Sequence, residues 1–109
     1  MTDINTNDLF KSAGNKRMMK KEDRYKLIQY LFEHISDIKT PSKKETARKI
    51  SDGFKLEHPD LKVNENWIYR LLMGGIYCKN GEYGFESLDI TVDEACEKPS
   101  KLEKEFKRE

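Results

Sequence analysis

Between residues 22 and 38 the apolar positions Tyr25, Ile28, Leu31, Phe32, Ile35 and Ile38 recur at intervals that fall on one helical stripe, with Arg24, Lys26, Gln29, Glu33 and Asp37 opposite or beside them. This is the pattern of an amphipathic helix, and its length makes it the spine of the core. It stops at Pro41 and restarts at once. Ser42 and Glu45 stand at the spacing of a capping box, in which each side chain satisfies a free backbone N–H of a new first turn. A second helix therefore begins there and buries Ala47, Ile50 and Phe54, leaving Lys43, Lys44, Arg48 and Lys49 on its start and outer faces. Pro59 ends any helix, Leu61 and Val63 are apolar anchors in the connection, and Asn64 is a good cap for a third helix running to about Met73. There Trp67, Ile68, Leu71 and Leu72 face inward, and Glu65, Asn66, Tyr69, Arg70 and Met73 face outward.

After Gly74 and Gly75 the helical period is lost. Residues 76–79 and 82–85 flank Asn80-Gly81, a pair that takes positive φ at little cost and so predicts a two-residue hairpin. A helix thus runs directly into a β-hairpin. Two further capping-box spacings, Thr91 with Glu94 and Ser100 with Glu103, predict a last helix or two short ones split by Pro99, with Leu102 and Phe106 as an apolar pair. So thin a stripe predicts a tail that packs lightly, frays or pairs with a partner. Ahead of the first helix, residues 1–20 are polar apart from Leu9-Phe10 and Met18-Met19. They read as a flexible arm with a short helical turn docking through Leu9 and Phe10. The expected plan is an arm at 1–20, a folded unit at 21–90 and a C-terminal helical segment at 91–109.

Composition sharpens this picture in one respect. The 109 residues suit one domain with one core, and charged residues (38%) outnumber apolar ones (36%), so the core is compact and the surface ionic. The net charge of +1 argues against nucleic acid, but it conceals an uneven distribution. Residues 11–70 carry 15 Lys and Arg against 9 Asp and Glu, whereas residues 71–109 carry 6 against 9. A basic middle and an acidic tail suit a polyanionic partner, and a solvated surface of mixed sign is the plainer reading of the same numbers. No leader pattern opens the chain and no apolar run approaches a membrane span, so a cytoplasmic protein without membrane contact is expected. Cys78 and Cys96 show no pairing pattern and read as free thiols.

Catalytic motifs are missing. The chain has no Gly-rich phosphate loop with its lysine, no nucleophile elbow, no Cys-x-x-Cys and no His-Glu-x-x-His. His34 lies at the edge of the first stripe and His58 in a turn, and two isolated histidines with two isolated cysteines do not suggest a zinc set. The expectation is a non-enzyme with no cofactor and no metal.

The order helix, helix, helix, hairpin, helix resembles the winged helix-turn-helix DNA-binding family over roughly residues 23–85. "SKKETARKI" looks like the bracing helix, with the small Ala47 allowing close approach of the next helix and Ile50 sealing the contact. "NENWIYRLL" looks like the recognition helix, and "YCKNGEYGF" like the wing, carrying Lys79. The resemblance implies a mainly α fold with a small β-hairpin: a three-helix core plus wing, followed by a C-terminal helical tail. It places the third helix in the major groove and the wing on the adjacent phosphates or minor groove. The DNA contacts it implies are Lys43, Lys44, Arg48, Asn64, Asn66, Tyr69, Arg70, Lys79 and Asn80. Cations at a helix start oppose the helix dipole, which favours a phosphate role for Lys43, Lys44 and Arg48. Arg70 reads equally as a solubilising residue, Tyr69 as a cover for the rim of the core, and Lys79 as a guard on an exposed edge strand. The sequence departs from the family in the long connection "KLEHPDLKVN" and in Glu65 and Glu82, whose carboxylates repel phosphate on the supposed DNA face.

Two functions follow from this reading. One is a duplex-DNA-binding protein, a small transcriptional regulator or a partition or replication accessory of a phage, plasmid or other mobile element, dimeric through the N-terminal arm or the C-terminal helix. The other keeps the fold and uses it on a protein partner, as a phage-encoded inhibitor of a host complex would. The near-zero net charge, the two glutamates and the outward Met73 favour the second.

Overall fold

The computed structural model describes residues 17–38 and 40–107, with the side chains of 106 and 107 outside that set. The expected docking through Leu9 and Phe10, and the expected Leu102–Phe106 pair, therefore lie outside the described residues. The fold is mainly helical, with two small sheets of two strands each. In chain order the elements are β1 (Arg17–Met18), α1 (Lys21–Ile38), α2 (Lys43–Glu57), β2 (Leu61–Lys62), α3 (Glu65–Met73), β3 (Ile76–Lys79), β4 (Glu82–Phe85), α4 (Val92–Glu97) and α5 (Pro99–Lys107).

Helix α1 starts where Asp23, almost fully buried, accepts hydrogen bonds from the Lys20 N–H (3.2 Å) and from Arg17 Nη1 (2.8 Å). A carboxylate removed from water needs such partners, and Arg17 supplies the opposite charge. The helix buries Leu27, Ile28 and Leu31 completely. Leu27 was absent from the expected stripe because that stripe assumed one covered face, whereas α1 packs against α2 and also against α4. The turn into α2 is knitted by Thr46: its hydroxyl donates to Ser42 O (3.0 Å) and accepts from the Thr40 N–H (3.1 Å). Ser42 caps α2 as expected, accepting from the Glu45 N–H at 3.3 Å. The reciprocal half of that capping box is not formed, because the Glu45 carboxylate pairs with Arg48 instead.

Ala47, Ile50 and Phe54 of α2 are buried against α1 and α3, and Asn64 caps α3 by accepting from the Trp67 N–H at 3.2 Å. Trp67, Ile68 and Leu71 are buried as expected, and Leu72 is half-buried. Gly74 and Gly75 end the helix, Gly75 with φ +72. The chain leaving the hairpin then returns along them, with Glu86 N–H donating to Gly75 O and Ser87 N–H to Gly74 O (both 3.1 Å). The hairpin turns at Asn80 and Gly81, both with positive φ (54 and 80).

Three features differ from the sequence reading. Arg17 and Met18 are not part of a free arm: they pair in parallel with Leu61 and Lys62, and Met19 is buried in the core. Residues 61 and 62, expected only as part of a connection, form the strand β2 paired with β1, and the hairpin is two-stranded as expected. The C-terminal segment is not a lightly packed tail either. Val92, Ala95, Cys96 and Leu102 belong to the one core cluster, and α5 packs on α3 and α4. Thr91 and Glu94 form a complete capping box, whereas Ser100 caps nothing: Pro99, whose fixed φ suits a first helical residue, takes that position and puts Ser100 inside α5.

Candidate nucleic-acid interface

The first turn of α2 carries Lys43 and Lys44, both exposed and neither in an ion pair among the described residues. Arg48, one turn on, is differently placed. Its guanidinium bonds Glu45 and lies 3.6 Å from Asp52, and the charge of Glu65 at the start of α3 also reaches it. The hydrogen bond to Glu45 holds Arg48 above its ordinary pKa and the Glu45 carboxyl below its own. Arg48 is thus a structural cation within a set of three acids, two of them on α2 and the third, Glu65, at the start of α3.

At the start of α3, Asn64 and Asn66 lie in one open groove of about 510 Å³ with Glu65, Val63, Lys62 and Met18. Asn64 already uses its side-chain oxygen as the helix cap, which leaves its amide NH₂ as the free end. Asn66 is exposed, while Tyr69 and Arg70 are only half-buried rather than fully outward. The Arg70 guanidinium carbon lies 5.9 Å from the Tyr69 ring centre and its Nε is shielded from solvent. These two residues cover the rim of the core more than they project from it.

The hairpin holds the remaining candidates. Lys79 stands directly across from Glu82 in the antiparallel register, so its charge has an opposite neighbour on the same face. Asn80 is accounted for by the turn it makes possible, at φ 54. Phe32 of α1 stacks on Tyr83 with ring centres 5.2 Å apart, which holds the hairpin against α1. Gly81 of its turn and Glu82 at the start of β4 line a cleft with Tyr25, Tyr83, Thr91 and Asp93. On that side Asp93 accepts from the Tyr25 hydroxyl (2.7 Å) and pairs with Lys21 (2.9 Å), which hold its carboxyl below its ordinary pKa of 3.8.

Six of the nine candidates fall into three groups, while Lys44 stands exposed beside Lys43 and Tyr69 and Arg70 cover the rim of the core. Asn64 and Asn66 share a groove that adjoins Arg48 through Glu65. Lys43 lines a separate apolar cleft of about 320 Å³ with Ile35, Thr40, Pro41, Thr46 and Leu72. Lys79 and Asn80 sit on the hairpin. Sequence reading missed Lys62 and Met18. Strand alternation was the available signal for Lys62: with Leu61 and Val63 turned toward the core, the residue between them points out. No three His, Cys, Asp or Glu side chains among the described residues stand close enough to hold a metal ion. Cys78 is exposed and Cys96 buried, both as free thiols, and burial pushes the Cys96 thiol up to about 12. Among the described residues no helix is long and apolar enough to cross a membrane. The chain matches no known family model, no curated protein and no solved structure.

Proposed function

We propose that the chain binds duplex DNA in the manner of a winged helix, with the start of α3 directed into the major groove and the start of α2 against the backbone. The observation that carries the reading is the packing of α2 on α3, with Lys43 and Lys44 exposed in the first turn of α2 without ion-pair partners among the described residues. Unpaired lysines at a helix start are locally unfavourable, and a phosphate between them and the helix N–H groups removes that cost. The basic balance of residues 11–70 supports the same reading. A small transcriptional regulator, or a partition or replication accessory of a mobile element, is the role such a module would serve.

The test is the affinity of a labelled mixed-sequence duplex for wild type and for the double variant Lys43→Gln, Lys44→Gln. Both side chains are exposed, so the melting temperature should hold while affinity falls at least several-fold. Equal affinity for the two proteins would reject the assigned face.

A second reading, a protein-binding module such as an inhibitor of a host complex, has its own support. The cleft lined by Ile35, Pro41, Thr46 and Leu72 is mostly apolar, and Met73, next in the chain to Leu72, is exposed. That reading is favoured if wild type fails to bind duplex at low salt, and Leu72→Glu is then the variant with which to challenge partner binding.

A further inference from the structure

The apolar cleft of about 320 Å³ opens where the end of α1, the start of α2 and the end of α3 meet, lined by Ile35, Thr40, Pro41, Lys43, Thr46 and Leu72. Its hydroxyls are already used: Thr40 and Thr46 both donate to Ser42 O, at 2.7 and 3.0 Å. What the cleft offers is therefore the apolar surface of Ile35, Pro41 and Leu72, next to the exposed Met73, with the exposed Lys43 among its lining residues. Such a surface suits an occupant that brings bulky apolar side chains together with negative charge.

We propose that the chain's own segment Asp8-Leu9-Phe10, which lies outside the described residues, fills this cleft and competes there with DNA for Lys43 and Lys44. Leu9 and Phe10 supply the apolar pair, and Asp8 supplies the charge. The complementarity is local: residues 1–10 carry Asp3 and Asp8 and no Lys or Arg, whereas Lys43 and Lys44 are exposed without ion-pair partners among the described residues. A carboxylate at the first turn of α2 also meets the positive end of that helix. The distance fits as well. Arg17 bonds Asp23 in the first turn of α1, so the segment leaves the fold beside the start of that helix. From there Ile35 lies about 21 Å along α1, at about 1.5 Å of rise per residue. The stretch from Leu9 or Phe10 to Arg17 spans about 24–27 Å when extended, enough to reach the cleft within the same chain. The competition rests on the DNA-binding reading, and the docking itself does not.

The experiment compares the full wild-type chain with the double variant Leu9→Ser, Phe10→Ser, by amide NMR, by sedimentation and by affinity for a labelled mixed-sequence duplex. The expected result is a change of amide shifts at Thr46, Leu72 and Met73, far along the chain from the substitutions, in a protein that stays monomeric. Duplex affinity should rise about three- to tenfold in the variant, the inverse of the undocked fraction of wild type. If shift changes stay within residues 1–20, the docking is overturned, the DNA reading is untouched and the cleft is left to a partner protein. A wild type that sediments as a dimer beside a monomeric variant would put the segment of a second copy in the cleft and overturn the contact within one chain. Equal duplex affinity of the two proteins, with the cleft shifts changed, overturns the competition. If neither protein binds duplex, the DNA reading fails with the competition, and the cleft shifts alone decide the docking.

Discussion

A methyl group at position 53 would stand 2.1 Å from the hydroxyl oxygen of Tyr30, so the glycine in the last turns of α2 is there for close approach and not for flexibility. Tyr30 cannot easily withdraw, because its ring lies against His34 (4.2 Å between centres) and edge-on to Phe54 (5.7 Å). Gly53→Ala should therefore lose about 1–3 kcal/mol in denaturant unfolding, although alanine is the better helix former by about 1 kcal/mol. Adding Tyr30→Phe should restore most of that loss, and a double variant no more stable than the single would contradict the clash. Residue-scale reasoning also gives a pH dependence. Lys21 and Tyr25 hold Asp93 below its ordinary 3.8, and the Thr91 N–H, with Lys101, holds Glu94 below its ordinary 4.5. Lowered carboxyl values mean that the unfolded chain binds protons first as pH falls. The stabilisation is complete above those ordinary values and lost as pH drops through the lower folded ones. The melting temperature should fall between about pH 5 and pH 3, and Asp93→Asn should flatten that fall. At this scale the sequence was readable where a residue had one neighbour to satisfy, as at Asn64 and Thr91. It misled where two partners competed, as for Glu45, which Arg48 draws away from the cap.

Among the elements, α5 departs furthest from expectation. One leucine and one phenylalanine looked like too little to anchor a helix, yet Leu102 is completely buried, because Val92, Ala95 and Cys96 of α4 supply the rest of its surroundings. A stripe counted on one short helix understates burial when two short helices share a side of the core. Leu102→Ala should accordingly cost about 2–5 kcal/mol in urea unfolding, and a cost within 0.5 kcal/mol would return α5 to the status of a loose tail. The strand pair β1–β2 was not legible for a different reason: two residues per strand are too few to mark a strand, and the alternation of Leu61, Lys62 and Val63 tells only which side each faces. The hairpin was, because its turn needs two residues of positive φ and Asn80-Gly81 meets that need at the one place where it arises. Helices α1 to α3 were legible from their stripes and caps, while the second covered side of α1 and the half-buried placing of Tyr69 and Arg70 escaped.

For the whole molecule the question is whether the uneven charge acts as one surface. Lys43 and Lys44 at α2 and Lys62 at β2 carry charges without ion-pair partners among the described residues, whereas Arg48 is held by Glu45 and Asp52. Formal charge along the chain gave these four equal weight, and only the folded arrangement separates them. Lys44→Ala should lower the salt slope of duplex binding by about one, while Arg48→Ala should leave it nearly unchanged and instead lower stability slightly. Equal effects on the slope would mean that Arg48 leaves its acidic partners to meet phosphate. The most direct test of the central claim is the affinity of purified wild type for a labelled mixed-sequence duplex, measured by fluorescence anisotropy over a range of salt concentrations. Binding whose log–log slope is about −3 or steeper is the expected result, the release of counterions from several phosphates. No binding at low salt would contradict the account and turn the same surface over to a protein partner.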